Sequence, residues 1–163
     1  MAHRDQAGTP ALVVLAAADV SRTIHTYPHD PRTPAGYGRE AAAALGLDPG
    51  QVFKTLVAEV DGHLAVAVVP VAGHLDLKAL ATALGGKHAT MAQRPDAERA
   101  TGYVAGGISP LGQKAALPTA VDETAYLYNE IYVSGGRRGL DIGLAPDDLV
   151  RLTGAVVAAL ARD

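Results

Sequence analysis

The clearest pattern of apolar and polar positions in the chain predicts a β-hairpin. Residues 53–60 and 63–69 are mostly apolar and rich in β-branched side chains, and only Asp61 and Gly62 separate them. An Asp-Gly dipeptide between two such runs is the strongest short-range signal of a two-residue hairpin turn. Lys54 breaks the pattern of the first strand, because side chains alternate in direction and its neighbours on the same face are apolar.

A second hairpin is predicted by residues 130–134 and 140–144, which flank the glycine-rich residues 135–139. A turn centred on Arg137 and Arg138 sets a register of three opposed pairs: Ser134 with Asp141, Val133 with Ile142, and Ile131 with Leu144. The two apolar pairs then share one face of the hairpin, and the polar pair lies on the other.

The remaining segments predict short helices and strands. Thr9 and Pro10 are typical of the N-cap and first position of a helix that runs to about Ala18. Helices are also predicted over residues 39–45, 76–84, 95–101 and 146–152, and strands over residues 21–27, 88–93 and 120–122. Residues 155–160 fit a helix or a strand. This order predicts an α+β fold on a mixed or antiparallel sheet of six to seven strands, and it leaves closure into a barrel open.

Composition indicates a folded, cysteine-free domain. The chain has 163 residues, 48% of them hydrophobic and 19% charged, so we expect one domain over residues 9–163 after a flexible N-terminus at residues 1–8. The absence of cysteine excludes disulfides, thiolate zinc sites and a cysteine nucleophile of the protein itself. Without cysteines or a signal peptide, a cytoplasmic location is expected. The longest apolar stretch, residues 64–72, is too short to cross a bilayer.

Charge and aromatic content argue against a broad nucleic-acid-binding surface. The net charge is −3, and aromatic residues make up 4% of the chain. Tight, unassisted binding through a basic surface or through stacking on aromatic side chains is therefore not expected. The sequence predicts no DNA partner and no membrane partner.

Three features are candidates for a binding site. Lys54 is placed either at the mouth of a pocket for a phosphate or carboxylate, or so that its ammonium reaches water from the strand end. Ser134 and Asp141 have the hydrogen-bonding capacity to hold a polar ligand, or they form a plain cross-strand hydrogen bond. Arg137 and Arg138 contact a phosphate backbone, or they are solvated residues at a hairpin tip.

Residues 106–112, with the sequence GGISPLG, are predicted to form a loop. Its glycines allow the backbone to approach a ligand and to direct N–H groups at it, although an ordinary tight loop has the same composition. The segment is not a Walker A loop, because Gln113 precedes Lys114 and Ala115 replaces the hydroxyl ligand.

The segment around Tyr27 has two histidines and a carboxylate. His25, His29 and Asp30 lie close together in sequence, but no further ligand set is evident, so no metal is predicted. Tyr27 ends a predicted strand before Pro28, where its hydroxyl reaches a pocket or its ring packs in the core.

Four segments resemble the YbaK family of free-standing bacterial deacylases of mischarged tRNA, which are related to the editing domain of bacterial prolyl-tRNA synthetases. They are HTYPHD at 25–30, VFKTL at 52–56, TGYVAGGISPLGQK at 101–114 and YVSGGRRGLDIGLAPDDL at 132–149. The resemblance runs from about Thr9 to the end of the chain. It implies a mixed β-barrel flanked by helices, and hydrolysis of the ester that joins cysteine to the 3′ adenosine of tRNA(Pro).

The resemblance also implies site residues and a mechanism. The positions that match the family's pocket are Tyr27, Lys54, Thr55, Gly106, Ser134 and Asp141. In the family the substrate's own thiol attacks the ester carbonyl, which implies no cofactor. On this basis we expect the amides of Gly106 and Gly107 to orient the carbonyl and Lys54 to bind a phosphate or the 3′ end. Arg137 is expected to contact substrate. The ribose or the α-amino group is expected to be held by Tyr27, Ser134 and Asp141. A complex with prolyl-tRNA synthetase is expected to supply tRNA identity.

Two other readings stay open at this stage. The preference for one amino acid depends on the shape of the pocket, so the sequence leaves the substrate open. The alternatives are Cys-tRNA(Pro), together with Cys-tRNA(Cys), or another small aminoacyl-tRNA such as Ala-tRNA(Pro). A protein of a different class, a non-catalytic module that binds tRNA or a synthetase, would have the same fold but no need for Lys54 on an apolar face.

Overall fold

The computed structural model describes residues 8–29 and 37–163, so residues 1–7 of the predicted flexible N-terminus and Asp30 lie outside it. The helices are α1 (Pro10–Ala18), α2 (Tyr37–Leu45), α3 (Leu77–Ala83), α4 (Arg94–Thr101) and α5 (Pro146–Thr153), with a 3₁₀ helix at Glu123–Leu127. The strands are β1 (Arg22–Thr26), β2 (Phe53–Val60), β3 (His63–Pro70), β4 (His74–Leu75), β5 (Ala89–Met91), β6 (Thr119–Asp122), β7 (Ile131–Arg137), β8 (Leu140–Leu144), β9 (Val156–Ala158) and β10 (Ala161–Arg162).

The β2–β3 hairpin confirms the first prediction. Its antiparallel register runs from Phe53 opposite Pro70 to Val60 opposite His63. Both turn residues have positive φ, 49° and 84°, as the central residues of a type I′ turn require.

The first hairpin forms the centre of a five-stranded sheet that is covered on both faces. The strand order is β5-β2-β3-β6-β9, and β6 runs parallel to both of its neighbours. Val66 and Val68 of β3 pack in the larger core, together with α1. Ala65, Ala67 and Val69 face the other way and pack in a smaller core with α3. Because both faces are apolar, β3 is buried along most of its length.

The second hairpin belongs to a separate three-stranded sheet with the order β1-β8-β7. A parallel bridge between Val52 and Tyr132 joins this sheet to the start of β2. The α+β class and the mixed sheet are confirmed. In the described part of the chain ten strands form three sheets, two of which are joined by this bridge, whereas six to seven strands were predicted.

The register of the second hairpin is confirmed, but its turn lies one residue further along the chain than predicted. Ser134 opposes Asp141, and the next pair is Arg137 with Leu140. A bulge at residues 135–136 accounts for the difference, because it adds two residues to β7 and none to β8. The predicted separation of an apolar from a polar face holds, since the apolar pairs belong to the larger core.

The other predicted helices and strands are present, with bounds that differ from prediction by at most two residues. The side chain of Thr9 accepts a hydrogen bond from the Leu12 amide, as expected of an N-cap. Residues 155–160, left open by their pattern, contain β9. The two-residue strands β4 and β10 and the 3₁₀ helix were not predicted, because segments this short carry no periodic pattern.

Asp122, at the end of β6, attaches the C-terminal strands to the centre of the molecule. Its side chain is buried, and Oδ1 accepts hydrogen bonds from the amides of Leu160, at 2.7 Å, and Ala161, at 2.8 Å. Oδ2 accepts hydrogen bonds from the amide and the hydroxyl of Thr124. One carboxylate thus accepts hydrogen bonds from the residues that follow β6 and from the start of β10.

We expect Asp122→Ala to lower the free energy of unfolding by about 3 kcal/mol, because buried amides lose their acceptor. Urea denaturation followed by circular dichroism measures this change. The control Asp163→Ala removes an exposed carboxylate and should change stability by less than about 0.5 kcal/mol. Equal stability of the two variants would show that Asp122 does not hold the C-terminal strands.

Candidate functional site

A cavity of about 230 Å³ lies where the polar face of the three-stranded sheet meets the start of β2. It collects seven of the eight predicted site residues: Tyr27, Lys54, Thr55, Gly106, Ser134, Arg137 and Asp141. The exception is Gly107. Segments that are distant in sequence therefore converge on one small site.

Lys54 lies at the wall of this cavity. It lies on the same face of β2 as Ala58 and Val60, which belong to the smaller core. The prediction that Lys54 lies on an apolar strand face is therefore confirmed. Its Nζ donates a hydrogen bond to the carbonyl of Gly73 at 3.0 Å. Burial lowers the pKa of Lys54, and the charge of Arg39 lowers it further. The ammonium has three donors, and two of them have no acceptor among the described residues.

Asp141 is a buried carboxyl on the central strand of the three-stranded sheet. It pairs with His25 of β1 and with Ser134 of β7, and its exposed fraction is 6%. Burial raises the pKa of Asp141 to about 7, and a hydrogen bond with the Tyr27 hydroxyl offsets part of this rise. Near neutral pH this group therefore exists in both protonated and ionised forms.

Tyr27 lies beside Asp141 in the lining of the cavity. Its backbone amide donates to the carbonyl of Gly139 at 3.0 Å, which fixes it beside the turn of the second hairpin. Burial and then the charge of Asp141 raise the pKa of Tyr27 to about 12, so the phenol stays protonated and acts as a hydrogen-bond donor. The prediction that its hydroxyl reaches a pocket agrees with this position.

Ser134 and Thr55 provide hydroxyl groups. Ser134 Oγ accepts a hydrogen bond from the Gly136 amide at 3.1 Å, and it forms no hydrogen bond with Asp141 in the described part of the chain. The plain cross-strand hydrogen bond considered for this pair is therefore absent there. The hydroxyl of Thr55 is buried and has no hydrogen-bond partner among the described residues. Both groups line the cavity and are able to bind a polar ligand.

Gly106 lines the cavity from the turn at residues 104–107. Gly106 has a φ of 89°, at the third position of the turn closed by the hydrogen bond from the Gly107 amide to the Val104 carbonyl. Such a type II turn favours glycine at this position. In the described structure no acceptor binds the Gly106 amide.

Side chains from two other segments fix this turn. The Ala105 amide donates to Glu98 Oε2 at 2.7 Å, and the Ala105 carbonyl accepts from Arg138 Nη2 at 2.7 Å. A trans peptide directs its C=O and N–H to opposite sides, so Arg138 also fixes the direction of the Gly106 N–H. The amide is thus oriented before any ligand binds.

Gly107 does not have the role that the sequence suggested. Its amide already donates to the Val104 carbonyl at 2.9 Å and is not available to a ligand. A Cβ at this position would lie 2.8 Å from the Cα of Arg137, so glycine is needed for the loop to pack on the hairpin. The reading of residues 106–112 as a tight loop applies to Gly107, whereas Gly106 lines the cavity.

The two arginines of the second hairpin have different surroundings. Arg137 is exposed and lines the cavity, as a substrate contact should. Arg138 is half-buried and holds the Ala105 carbonyl, so it is part of the framework and not a solvated tip residue.

The apolar wall of the cavity was not predicted from the sequence. It consists of Ala41, Val52, Phe53, Leu56 and Ile108. In the sequence these residues have the pattern of ordinary core positions. Their neighbours Lys54 and Gly106 are the ones that the sequence marks as candidates for a binding site. The wall excludes water from one side of the site and limits the size of the ligand.

The histidines bind separate partners. His25 Nε2 lies 2.8 Å from Thr23 Oγ1, whereas His29 Nδ1 lies 2.8 Å from Glu40 Oε1. Among residues 8–29 and 37–163, no three histidine, cysteine or acidic side chains cluster in a way that would hold a metal. Within the same ranges, no helix has the length and apolar character needed to cross a membrane.

Comparisons with known proteins point to one family. The profile of the aminoacyl-tRNA editing domain matches residues 35–152, more than half of the chain. A candidate Cys-tRNA(Pro)/Cys-tRNA(Cys) deacylase, EbsC of Enterococcus faecalis (strain ATCC 700802 / V583), is 44% identical over 121 residues, which are 73% of each protein.

Two solved structures are similar over nearly the whole chain. Hypothetical protein APE2540 has a TM-score of 0.83 at 26% identity and covers 94% of this chain and 99% of its own. A candidate trans-editing enzyme for prolyl-tRNA synthetase has a TM-score of 0.78 at 28% identity and covers 98% of this chain and 94% of its own.

The raised pKa of Asp141 predicts a pH-dependent stability. Between about pH 4 and the folded-state pKa of about 7, the folded protein keeps a proton that the unfolded chain has released. Stability should therefore fall as the pH rises through this window, by at most ~1.4 kcal/mol per pH unit.

Urea denaturation of the wild type and of Asp141→Asn at pH 5, 6, 7 and 8 tests this effect. The variant has no proton to release, so its stability should fall less than that of the wild type across the window. Parallel pH profiles would show that the Asp141 carboxyl titrates normally in the folded protein.

Proposed function

Because this chain belongs to the aminoacyl-tRNA editing domain family, we propose that it is a deacylase that cleaves the aminoacyl ester of mischarged Cys-tRNA(Pro), and of Cys-tRNA(Cys). The observation that carries the proposal is one small cavity that brings Lys54, Tyr27, Ser134 and Asp141 together with the oriented amide of Gly106. The relative from Enterococcus faecalis is named for deacylation of the same two substrates.

The cavity suits a small aminoacyl group. Its volume of about 230 Å³ lies below the roughly 300–1,000 Å³ typical of sites for drug-sized ligands. Leu56, Phe53 and Ile108 provide an apolar surface for a short side chain, and the polar groups line the rest of the wall. The tRNA body stays outside, and the 3′ end enters.

Each polar group has a proposed task at the ester. The Gly106 amide donates to the carbonyl oxygen, where negative charge develops during attack. Lys54 binds the 3′-terminal phosphate, with its Nζ held in position by the Gly73 carbonyl. Tyr27 and Ser134 hold the ribose or the α-amino group through their hydroxyls. Thr55 and Arg137 complete the set of substrate-binding residues.

The substrate supplies the nucleophile. Its thiol gives up a proton, the sulfur forms a bond to the ester carbonyl carbon, and the bond from that carbon to the 3′ oxygen breaks. The 3′ oxygen takes up a proton and leaves as the hydroxyl of adenosine, and water then hydrolyses the resulting thioester to cysteine. Asp141, with a pKa of about 7, accepts and returns the proton. The cavity contributes by holding thiol and carbonyl together, with no cofactor.

Recognition of the tRNA is assigned to a partner. A chain with a net charge of −3 has little capacity for broad phosphate contacts, so we propose a ternary complex with prolyl-tRNA synthetase in the cytoplasm. The similarity to a candidate trans-editing enzyme for that synthetase supports this partner.

We expect the isolated protein to deacylate Cys-tRNA(Pro) faster than Ser-tRNA(Pro) or Ala-tRNA(Pro), because serine and alanine lack a thiol. Lys54→Ala should lower kcat/KM for Cys-tRNA(Pro) by roughly 100-fold or more without loss of folding. Release of the labelled amino acid measures both effects, and Lys78→Ala is the control for loss of an exposed lysine. Equal rates of deacylation for the three substrates would indicate attack by water. No deacylation of any substrate would favour a non-catalytic binding module.

We also expect the isolated protein to deacylate Cys-tRNA(Pro) and Cys-tRNA(Cys) at similar rates. Addition of prolyl-tRNA synthetase should accelerate only the first reaction, because the synthetase selects tRNA(Pro). Single-turnover rates with and without the synthetase measure this effect. A strong preference for tRNA(Pro) by the isolated protein would place tRNA recognition in this chain.

A further inference from the structure

Arg39 is a second cation whose charge acts on Lys54, and it lies in none of the motifs that marked the site. It is exposed in the first turn of α2. In the described part of the chain it has no ion pair, whereas its neighbour Glu40 is bound to His29 at 2.8 Å. Nothing in the fold of these residues requires a positive charge at this position.

Helix α2 packs beside the cavity, and Ala41, two residues after Arg39, lines it. Residues three apart are neighbours on a helix surface, so Arg39 lies beside Ala42. Ala42 is buried against Val52 and Val71, in a cluster at the edge of the cavity. Two residues after Val71, the Gly73 carbonyl holds the ammonium of Lys54.

The two positive charges are close enough to repel each other. After burial, the charge of Arg39 is the second cause that lowers the pKa of Lys54. Among the described residues neither Arg39 nor Lys54 forms an ion pair with a carboxylate, so a bound anion would offset the repulsion between the two charges. Arginine and lysine together are typical of phosphate sites, because the guanidinium gives two parallel donors and the ammonium a point charge.

We propose that Arg39 and Lys54 together bind the 5′-phosphate of the 3′-terminal adenosine of the tRNA. This inference rests on the proposed function, since it assigns the position of that adenosine at the cavity mouth. Arg39 is then a substrate-binding residue that places the ester in the cavity, and it takes no part in the chemistry. A protein that is acidic overall thus concentrates positive charge where one phosphate arrives.

Binding of adenosine 5′-monophosphate and of adenosine, each followed by NMR chemical shifts, separates the phosphate contact from turnover. The wild type should bind the monophosphate roughly tenfold or more tightly than adenosine. Arg39→Ala should lose most of this preference and Arg39→Lys should keep part of it. Arg151→Ala, which removes an exposed arginine on α5, should keep all of it.

Three results would overturn the inference: equal binding of both ligands by the wild type, no binding of either, or a preference that survives in Arg39→Ala. Loss of the preference in Arg137→Ala alone would place the phosphate at the second hairpin instead, and so would also contradict it. Deacylation of Cys-tRNA(Pro) by the wild type, assayed in parallel, tests the proposed function separately. Activity without a phosphate preference would refute only the role of Arg39.

Discussion

The glycine bulge in the second hairpin is the constraint on which the site depends. Ser134 and Asp141 stay paired on the polar face, and the two bulge residues then shift the end of β7 relative to β8. Gly136 has a φ of 108°, and Thr9 Oγ1 donates to the carbonyl of Gly135 at 2.7 Å, so helix α1 also holds the bulge. The shift brings the backbone of residues 137–138 against the 104–107 turn. At this position the side chain of Arg138 reaches the Ala105 carbonyl and so orients the Gly106 amide.

The electrostatics of the cavity follow from where its charges are placed. A carboxyl on the middle strand of a covered sheet loses water, which raises the pKa of Asp141 to about 7. Lys54, by contrast, lies near the start of β2 in the wall of the cavity, and the charge of Arg39 acts on it as a second positive charge. The proposed substrate carries its aminoacyl group on an anionic nucleotide, and the two cations provide positive charge for its phosphate.

Much of the fold was predictable because local signals agree with the tertiary structure. Asp61-Gly62 requires its turn, and the alternation of residues in β7 and β8 fixes which face is apolar. The bulge was not predictable, because the two glycines at residues 135–136 fit a longer loop equally well. The candidate site residues Lys54 and Asp141 were predictable from the sequence because they are polar groups that stand out from their local pattern, with the family resemblance in agreement. The packing of Gly107 on Arg137 and the effect of Arg39 on Lys54 depend on how distant segments come together. Local sequence patterns do not predict such arrangements.

The most direct test is the structure of the protein with an uncleavable analogue, in which an amide replaces the ester between cysteine and the 3′ carbon of adenosine monophosphate. The cysteinyl group of the analogue should lie inside the cavity. Its carbonyl oxygen should lie within hydrogen-bond distance of the Gly106 amide, its thiol near Asp141, and the phosphate outside beside Lys54. An analogue bound elsewhere, or bound with its acyl group outside the cavity, would contradict the central claim that this cavity is the editing site.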